Sequence, residues 1–511
     1  MRFRTWAPLS AIAMSAAAVV ALTQSSCDNG SSASVDAGDE ADVDDRPPTP
    51  AAWDAPVTRP DDTTATQNRA ACVYKRGDMP AATLGTSTPV DVDIPIDTVV
   101  VFMLENHSFD NYFGQLGKFL NRTDIESPPD DASNPSAPDA DGGVTQVPRV
   151  HAPHTCVFDL DHSWAGTHNE WNDGGMDGFV KQNDDDPSTL PSGDDPSLAS
   201  GDRSMFYYDQ TDLPFYYALA QNFATADHYH APVLGPTWPN RMYLYAATSF
   251  GLTFNTFPDL SAYPFPDNDA SILDELVKRH TDWWIYRESV AAAEMIYNIG
   301  VVNRWGPAPL KTLDDFFSDA SAGTLPPMSF IDPNFATEGS EGDDEHPPGD
   351  VQVGQALSAK IVKALFTSPQ WAHAALFITW DEHGGFYDHY PPPPACNPDG
   401  LTPILDQGDT TPGTFDREGV RVPLIVISPY AKKGYVGHTT YDHASITRFI
   451  EAKFKIPALT ARDANADPLM DLFDFSAPQN ITPPDIPDPT VDPNEQSYCV
   501  ATYPPSPQQF P

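Results

Sequence analysis

Three stretches of this 511-residue chain run almost without polar interruption: Val99-Val100-Val101-Phe102-Met103-Leu104, Ala374 to Trp380, and Val422 to Ser428. A strand with one face in water alternates apolar and polar residues, whereas a strand covered on both faces does not. These runs therefore predict strands inside a mostly parallel central sheet. Trp283 to Tyr286 and Met328 to Ile331 are shorter candidates of the same kind. Helical patterns lie between them, at Leu213 to Asn222, Ser271 to Arg279, Val351 to Phe366 and Tyr441 to Phe454. Such alternation implies an α/β fold with helices on both faces of the sheet. No internal repeat is present, and one continuous globular domain is expected over residues 88–475.

The two ends read differently. Arg2 and Arg4 precede an apolar stretch from Ala11 to Leu22, too short for a membrane span and followed at once by polar residues, so 1–27 is expected to be an export signal. Leu22-Thr23-Gln24-Ser25-Ser26-Cys27 resembles a bacterial lipoprotein processing site, except that Gln24 stands where an aliphatic residue is usual. Lipid on Cys27, which would anchor the protein to the cell envelope, and ordinary cleavage with secretion both stay open. If Cys27 carries lipid, Cys72, Cys156, Cys396 and Cys499 remain, an even number for which three disulfide pairings exist. Residues 28–70 hold ten acids, three arginines and no lysine. The segment 28–87 is therefore expected to be an acidic disordered tether leading into the domain. The tail 476–511 is Pro-rich and equally poor in apolar periodicity.

Charge excludes some partners. Acidic residues number 72 against 28 Lys plus Arg, a formal charge of −44, which repels nucleic acid at long range. The 54 prolines, about twice the usual ~5% share, argue against a helical bundle.

Two of the apolar strands end in ligand-type residues, at the strand ends where open α/β sheets bind ligands. The first runs into Glu105-Asn106-His107-Ser108-Phe109-Asp110, the second into Asp381-Glu382-His383-Gly384-Gly385. Adjacent acids repel each other unless water solvates them or a cation sits between them. One such cluster would read as an ordinary polar loop; two, each behind a strongly apolar strand, point to a divalent metal held by oxygen ligands. A third segment, Gly235-Pro236-Thr237-Trp238-Pro239-Asn240-Arg241, places Thr237 at or just before a helix N-terminus, where N–H groups favour an anion. Thr237 reads either as a plain N-cap, worth about 1 kcal/mol, or, beside a metal, as an ionised nucleophile. Among the 14 histidines, His383 reads as a ligand, a partner of ligands or a surface residue, and His438 and His443 as capping residues or substrate contacts. Tyr207, Tyr208, Tyr216 and Tyr217 read as core rather than as a choline-binding cage.

Leu104-Glu105-Asn106-His107-Ser108-Phe109-Asp110-Asn111-Tyr112-Phe113-Gly114 resembles the opening signature of the bacterial phosphoesterase family. That family holds phospholipases C and an acid phosphatase branch, within the alkaline phosphatase superfamily. Further matching segments follow in order: His162-Ser163-Trp164 with His168, Trp171 to Phe179, Asp212 to Ala220, Gly235 to Arg241, Trp380 to Gly385, and Arg421 to Pro429. The resemblance spans nearly all of 97–455. It implies an alkaline-phosphatase-like sheet, with 88–475 as the catalytic domain. It implies Glu105, Asn106, Asp381 and Glu382 as metal ligands together with Thr237, the nucleophile. It places His162, Asn172, Arg241 and His107 at substrate-binding positions, His107 standing where arginine is common. His346 or His168 is expected to protonate the leaving alcohol.

The implied reaction is phosphoester hydrolysis. Thr237 attacks phosphorus in line, and water hydrolyses the resulting phosphothreonine. The large phospholipases of the family carry extra C-terminal β domains and this chain ends soon after the catalytic region, so phosphoester chemistry is a firmer expectation than a lipid substrate. Two other readings compete with this one. Thr237-x-Pro239-x-Arg241 has the outline of a sulfatase nucleophile motif, but threonine cannot be oxidised to formylglycine. A non-catalytic, surface-anchored metal-binding protein predicts a missing ligand or nucleophile, and none is missing.

Overall fold

The computed structural model describes residues 46–139, 141–184, 200–256, 271–294, 309–339 and 342–507. The export signal, Cys27 and the first part of the acidic tether lie outside the described residues. Among the described residues, eight strands form the central sheet: β1 (Thr98–Leu104), β2 (Ala224–Ala226), β3 (Trp283–Arg287), β4 (Leu310–Thr312), β5 (Met328–Asp332), β6 (Ala374–Trp380), β7 (Leu424–Ile427) and β8 (Tyr435–Gly437). Their order across the sheet is β8-β2-β7-β6-β1-β5-β3-β4. The helices that matter for the site and the termini are α1 (Asp62–Ala70), α2 (Trp164–Trp171), α3 (Pro214–Asn222), α4 (Thr237–Ala246), α5 (Val351–Thr367), α6 (His443–Phe454) and α7 (Pro493–Thr502).

Every residue of β1, β5, β6 and β7 is buried, as the apolar runs of β1, β6 and β7 require, and β5 buries Ser329 and Asp332 as well. β1 pairs in parallel with β6 on one side and with β5 on the other, which puts three strand ends together. β7 runs antiparallel to both of its neighbours, so the sheet is mostly parallel with one reversed strand. An apolar run covered on both faces carries no sign of direction, which is why sequence patterning could not show the reversal. The edge strands β4 and β8, and β2 beside β8, have only three residues each and lack a recognisable pattern.

Both ends depart from expectation. Residues 46–87 are not a free tether: Trp53, Ala65, Tyr74 and Leu84 are buried, and α1 is capped by Asp61, which accepts from Thr64 N at 2.9 Å. The C-terminal tail also packs. Trp371 Nε1 donates to Asn480 O at 3.0 Å, Ile486 is buried, and α7 carries Cys499 into the interior. Of the three pairings available to four cysteines, the chain makes Cys72–Cys396 and Cys156–Cys499, stapling each end to the domain. Single anchors, not a periodic face, hold these segments, so periodicity gave no warning of them.

Candidate active site

Leu104 and Trp380 are register partners at the ends of β1 and β6, and the residues that follow them emerge side by side. Asn106 N donates to Asp381 Oδ1 at 3.2 Å, and Glu105 N donates to Asp344 O at 2.8 Å. Asn106 adopts φ +67°, a left-handed conformation that asparagine tolerates better than most residues. Its turn packs against Gly384, where a Cβ would meet Asn106 O at 2.2 Å, so only glycine fits beside it.

The helix α4 opens directly at Thr237. Pro236 occupies the cap position, and no side chain caps the helix. The Thr237 hydroxyl therefore does not serve as an N-cap. Asn240 folds the preceding turn beneath the helix: its Oδ1 accepts from Val233 N at 3.0 Å and its Nδ2 donates to Gly235 O at 2.7 Å. Arg241, four residues after Thr237 and on the same helix face, is fully buried. Arg241 Nε lies 3.1 Å from Asp381 Oδ2, and Nη2 lies 3.2 Å from Glu105 Oε1 and 3.0 Å from Leu104 O. Asp332, at the end of β5, faces the same guanidinium at 3.8 Å. These contacts correct the expectation that Arg241 binds substrate. It locks the start of α4 onto three strand ends.

The carboxylates outnumber this one cation. Burial pushes Asp381 up to about 8, with Glu105 and Glu382 adding to the effect against Arg241. Asp332 is raised to about 6 by burial, again against Arg241. Glu382 is lowered instead, because His162 and His383 beside it outweigh its burial. Among the described residues, Glu105 Oε1, Asn106 Oδ1 and Glu382 Oε1 are buried and accept no hydrogen bond. Glu105 Oε1 keeps its ion pair with Arg241, whereas the other two are left without a partner. Buried oxygens so poorly satisfied are costly, and these three on neighbouring strand ends form the hard-oxygen donor set that suits a divalent cation.

His162 and His346 meet at one edge of this group, ring centroids 5.7 Å apart. His162 Nδ1 lies 2.8 Å from Leu160 O, and its Nε2 is 3.4 Å from Asn106 Nδ2. His346 Nδ1 lies 2.5 Å from Pro347 O. With Nδ1 tied to a carbonyl, the His162 ring turns Nε2 toward Asn106. Asp159 joins them in a group whose ligand atoms all lie within 4.8 Å of one another. Burial would lower the pKa of His346, but Asp159, Glu105 and Asp344 around it raise it to about 10. His383 is buried between two carboxylates, Nε2 at 2.7 Å from Glu170 Oε2 and Nδ1 at 3.1 Å from Glu382 Oε2. Despite burial they hold it protonated, up to about 10. His443, the first residue of α6, places Nε2 2.8 Å from Asp381 O, and burial pushes it down to about 3.

Three other expected site residues lie elsewhere. His107 is core: Nε2 is 2.9 Å from Glu345 O, Nδ1 is 2.8 Å from Asn111 Oδ1, and the ring stacks on Tyr112 and Phe386. Burial pushes its pKa to about 4, so it supplies no cation for a phosphate. Asn172 is an exposed residue at the C-terminus of α2, donating to Asp177 Oδ1 at 2.7 Å. His168 packs on Trp164, its Nδ1 2.7 Å from Trp164 O, and touches none of the grouped carboxylates. Tyr208, Tyr216 and Tyr217 are core residues, as expected, while Tyr207 lies under the Arg149 guanidinium. A cavity of about 620 Å³ beside the Cys156–Cys499 bridge includes none of the grouped residues. Asp332, Asp344, Glu345 and Glu170 complete the surroundings and were not singled out from sequence. Asp332 alone was readable, as the acid ending an apolar strand.

A phosphoesterase family model matches residues 96–457. Phospholipase C B of Mycobacterium tuberculosis (strain CDC 1551 / Oshkosh) is 32% identical over 438 residues, covering 78% of this chain and 81% of its own. Non-specific phospholipase C6 of Arabidopsis thaliana is 33% identical over 426 residues, covering 77% and 75%. Among solved structures, a protein in the alkaline phosphatase superfamily from Vibrio parahaemolyticus has a TM-score of 0.30 at 10% identity, covering 70% of this chain and 77% of that one, a likeness too remote to carry an argument.

Proposed function

The chain belongs to the phosphoesterase family, hydrolases of phosphoric esters, and from that premise we propose that it is an exported, metal-dependent phosphoesterase of phospholipase C type that works through a Thr237 nucleophile. The observation that carries this reading is the position of Thr237. It is the first residue of a ten-residue buried helix, its hydroxyl caps nothing, and Arg241 one turn on docks that helix against Asp381 and Glu105.

Glu105, Asn106, Asp381 and Glu382, with Thr237, would hold the divalent ion. When bound, such an ion is a Lewis acid that lowers the pKa of a nearby hydroxyl and offsets phosphoryl charge. Thr237 attacks phosphorus in its ionised form, and the phosphoryl oxygens meet the positive end of α4. His346, held as an imidazolium by Asp159, Glu105 and Asp344, protonates the departing alcohol. The resulting phosphothreonine is then hydrolysed by water. His162, whose pKa is raised by Glu382 and Asp159 against its burial, would bind a phosphoryl oxygen. Two disulfides agree with an oxidising compartment, and lipid on Cys27 would keep the enzyme at the cell envelope.

Turnover of p-nitrophenyl phosphorylcholine and p-nitrophenyl phosphate by the purified protein tests this. Hydrolysis of the phosphorylcholine ester supports the phospholipase C reading. Hydrolysis of the monoester alone moves the enzyme to the acid phosphatase branch, and hydrolysis of neither overturns the proposal.

A further inference from the structure

Glu345 immediately precedes His346, and its side chain points the opposite way, into the core. Its carboxyl group is fully buried and takes three hydrogen bonds from uncharged donors on three separate elements. Tyr112 Oη donates to Oε2 at 2.7 Å, Trp380 Nε1 donates to Oε2 at 2.8 Å, and Tyr216 Oη donates to Oε1 at 2.5 Å. Trp380 is the last residue of β6, directly before Asp381. Tyr112 lies in the short helix Phe109–Phe113 that follows Glu105 and Asn106, and Tyr216 is on α3.

The backbone agrees with the side chain. Glu345 sits at φ +72°, which turns the chain sharply between one residue aimed inward and the next aimed at Asp159 and His162. On the inner side α5 offers Gly354, where a Cβ would meet Glu345 Cγ at 2.2 Å. His107 Nε2 abuts Glu345 O at 2.9 Å. On the outer side Asp344 O accepts from Glu105 N at 2.8 Å, and Asp344 Oδ1 accepts from His346 N at 3.0 Å. A buried carboxyl group surrounded by neutral donors is a poor way to stabilise a core, because an apolar residue of similar volume costs less. What the arrangement secures is orientation. The loop carrying His346 is pinned to the two strands that carry the carboxylate group.

We propose that Glu345 is a positioning residue that fixes His346 for proton transfer to the leaving group, an inference that rests on the reading of His346 as the proton donor. His107 then serves the same purpose from the backbone side.

Leaving-group dependence tests it. Phenyl and p-nitrophenyl esters of the phosphoryl group that the holoenzyme turns over differ in how much they need protonation. His346→Ala and Glu345→Gln should each lower kcat for the phenyl ester by about tenfold or more, and for the p-nitrophenyl ester by much less, with KM little changed. In a His346→Ala background, Glu345→Gln should cost nothing further. Tyr216→Phe and Tyr112→Phe, which each remove one donor, should show the same signature in weaker form if Glu345→Gln does not fold. Equal losses on both esters, unchanged kcat in Glu345→Gln, or additive losses in the double variant would overturn the inference alone. A His346→Ala enzyme without leaving-group-dependent loss removes the proton-donor reading itself, and this inference with it.

Discussion

Arg241 Nε lies 3.1 Å from Asp381 Oδ2, and this buried pair joins the helix that begins at Thr237 to the end of the central sheet. Glu105 and Asp332 share the same guanidinium, so one cation faces carboxylates from β1, β5 and β6. Sequence spacing alone would make Arg241 a phosphate ligand. Its burial and its partners make it a strut.

The strut has a consequence for stability. Arg241→Met leaves three buried carboxylates without their shared cation and should cost about 3–5 kcal/mol, because breaking one side of a buried ion pair exposes the other to its full desolvation penalty. Denaturant unfolding measures this. A variant that unfolds like the parent but shows a raised KM would return Arg241 to substrate binding.

Metal removal is the second test. Dialysis against a chelator should abolish turnover, and adding back a divalent ion should restore it. Asp381→Asn and Glu105→Gln should bind less metal and lose most activity while keeping the fold, since each removes a negative oxygen ligand from a hard-cation site. Full activity in a metal-stripped sample, verified by elemental analysis, would contradict the account.

Acid sensitivity follows from His230, which is fully buried with Nδ1 2.9 Å from Gly419 O. Burial lowers its pKa from 6.5 to about 3. The folded state thus binds this proton less readily than the unfolded chain, so the contribution is fully present above about pH 6.5 and is lost as pH falls toward 3. The stability difference between the parent and His230→Phe should shrink by up to about 1.4 kcal/mol per pH unit across that window. A difference that stays constant between pH 7 and pH 4 would refute the assignment.

Much of this arrangement was legible in the sequence, and the exceptions have physical causes. Strands buried on both faces announce themselves by unbroken apolar runs, which located β1 and β6 and hence Glu105, Asn106, Asp381 and Glu382. Thr237 was legible because proline two residues later marks a helix start. Direction was not, since β7 reads the same forwards and backwards. Nor were Asp344 and Glu345, which sit in a loop between β5 and α5 where no period exists. His107 and Asn172 were drawn toward the site by their place in motifs, yet one is wedged between Tyr112 and Phe386 and the other closes a helix in solvent.

The termini supply a further prediction. Cys156–Cys499 fastens α7 beside His154, whose ring stacks on Tyr498 at 3.5 Å. Cys499→Ser should lower stability by about 2–5 kcal/mol and make the tail after Pro478 sensitive to protease. Unchanged unfolding and unchanged proteolysis would mean that the packing of Ile486 and Trp371 suffices.

The central claim is covalent catalysis by Thr237. Thr237→Ser keeps a hydroxyl at the helix start and should retain substantial turnover, while Thr237→Ala should lower kcat by orders of magnitude with little change in stability, because the side chain caps nothing. The direct measurement is mass spectrometry of enzyme quenched with acid during turnover. The account predicts a phosphoryl group, or the substrate's phosphoryl head group, on the peptide containing Thr237; an unmodified peptide together with an active Thr237→Ala enzyme would contradict it.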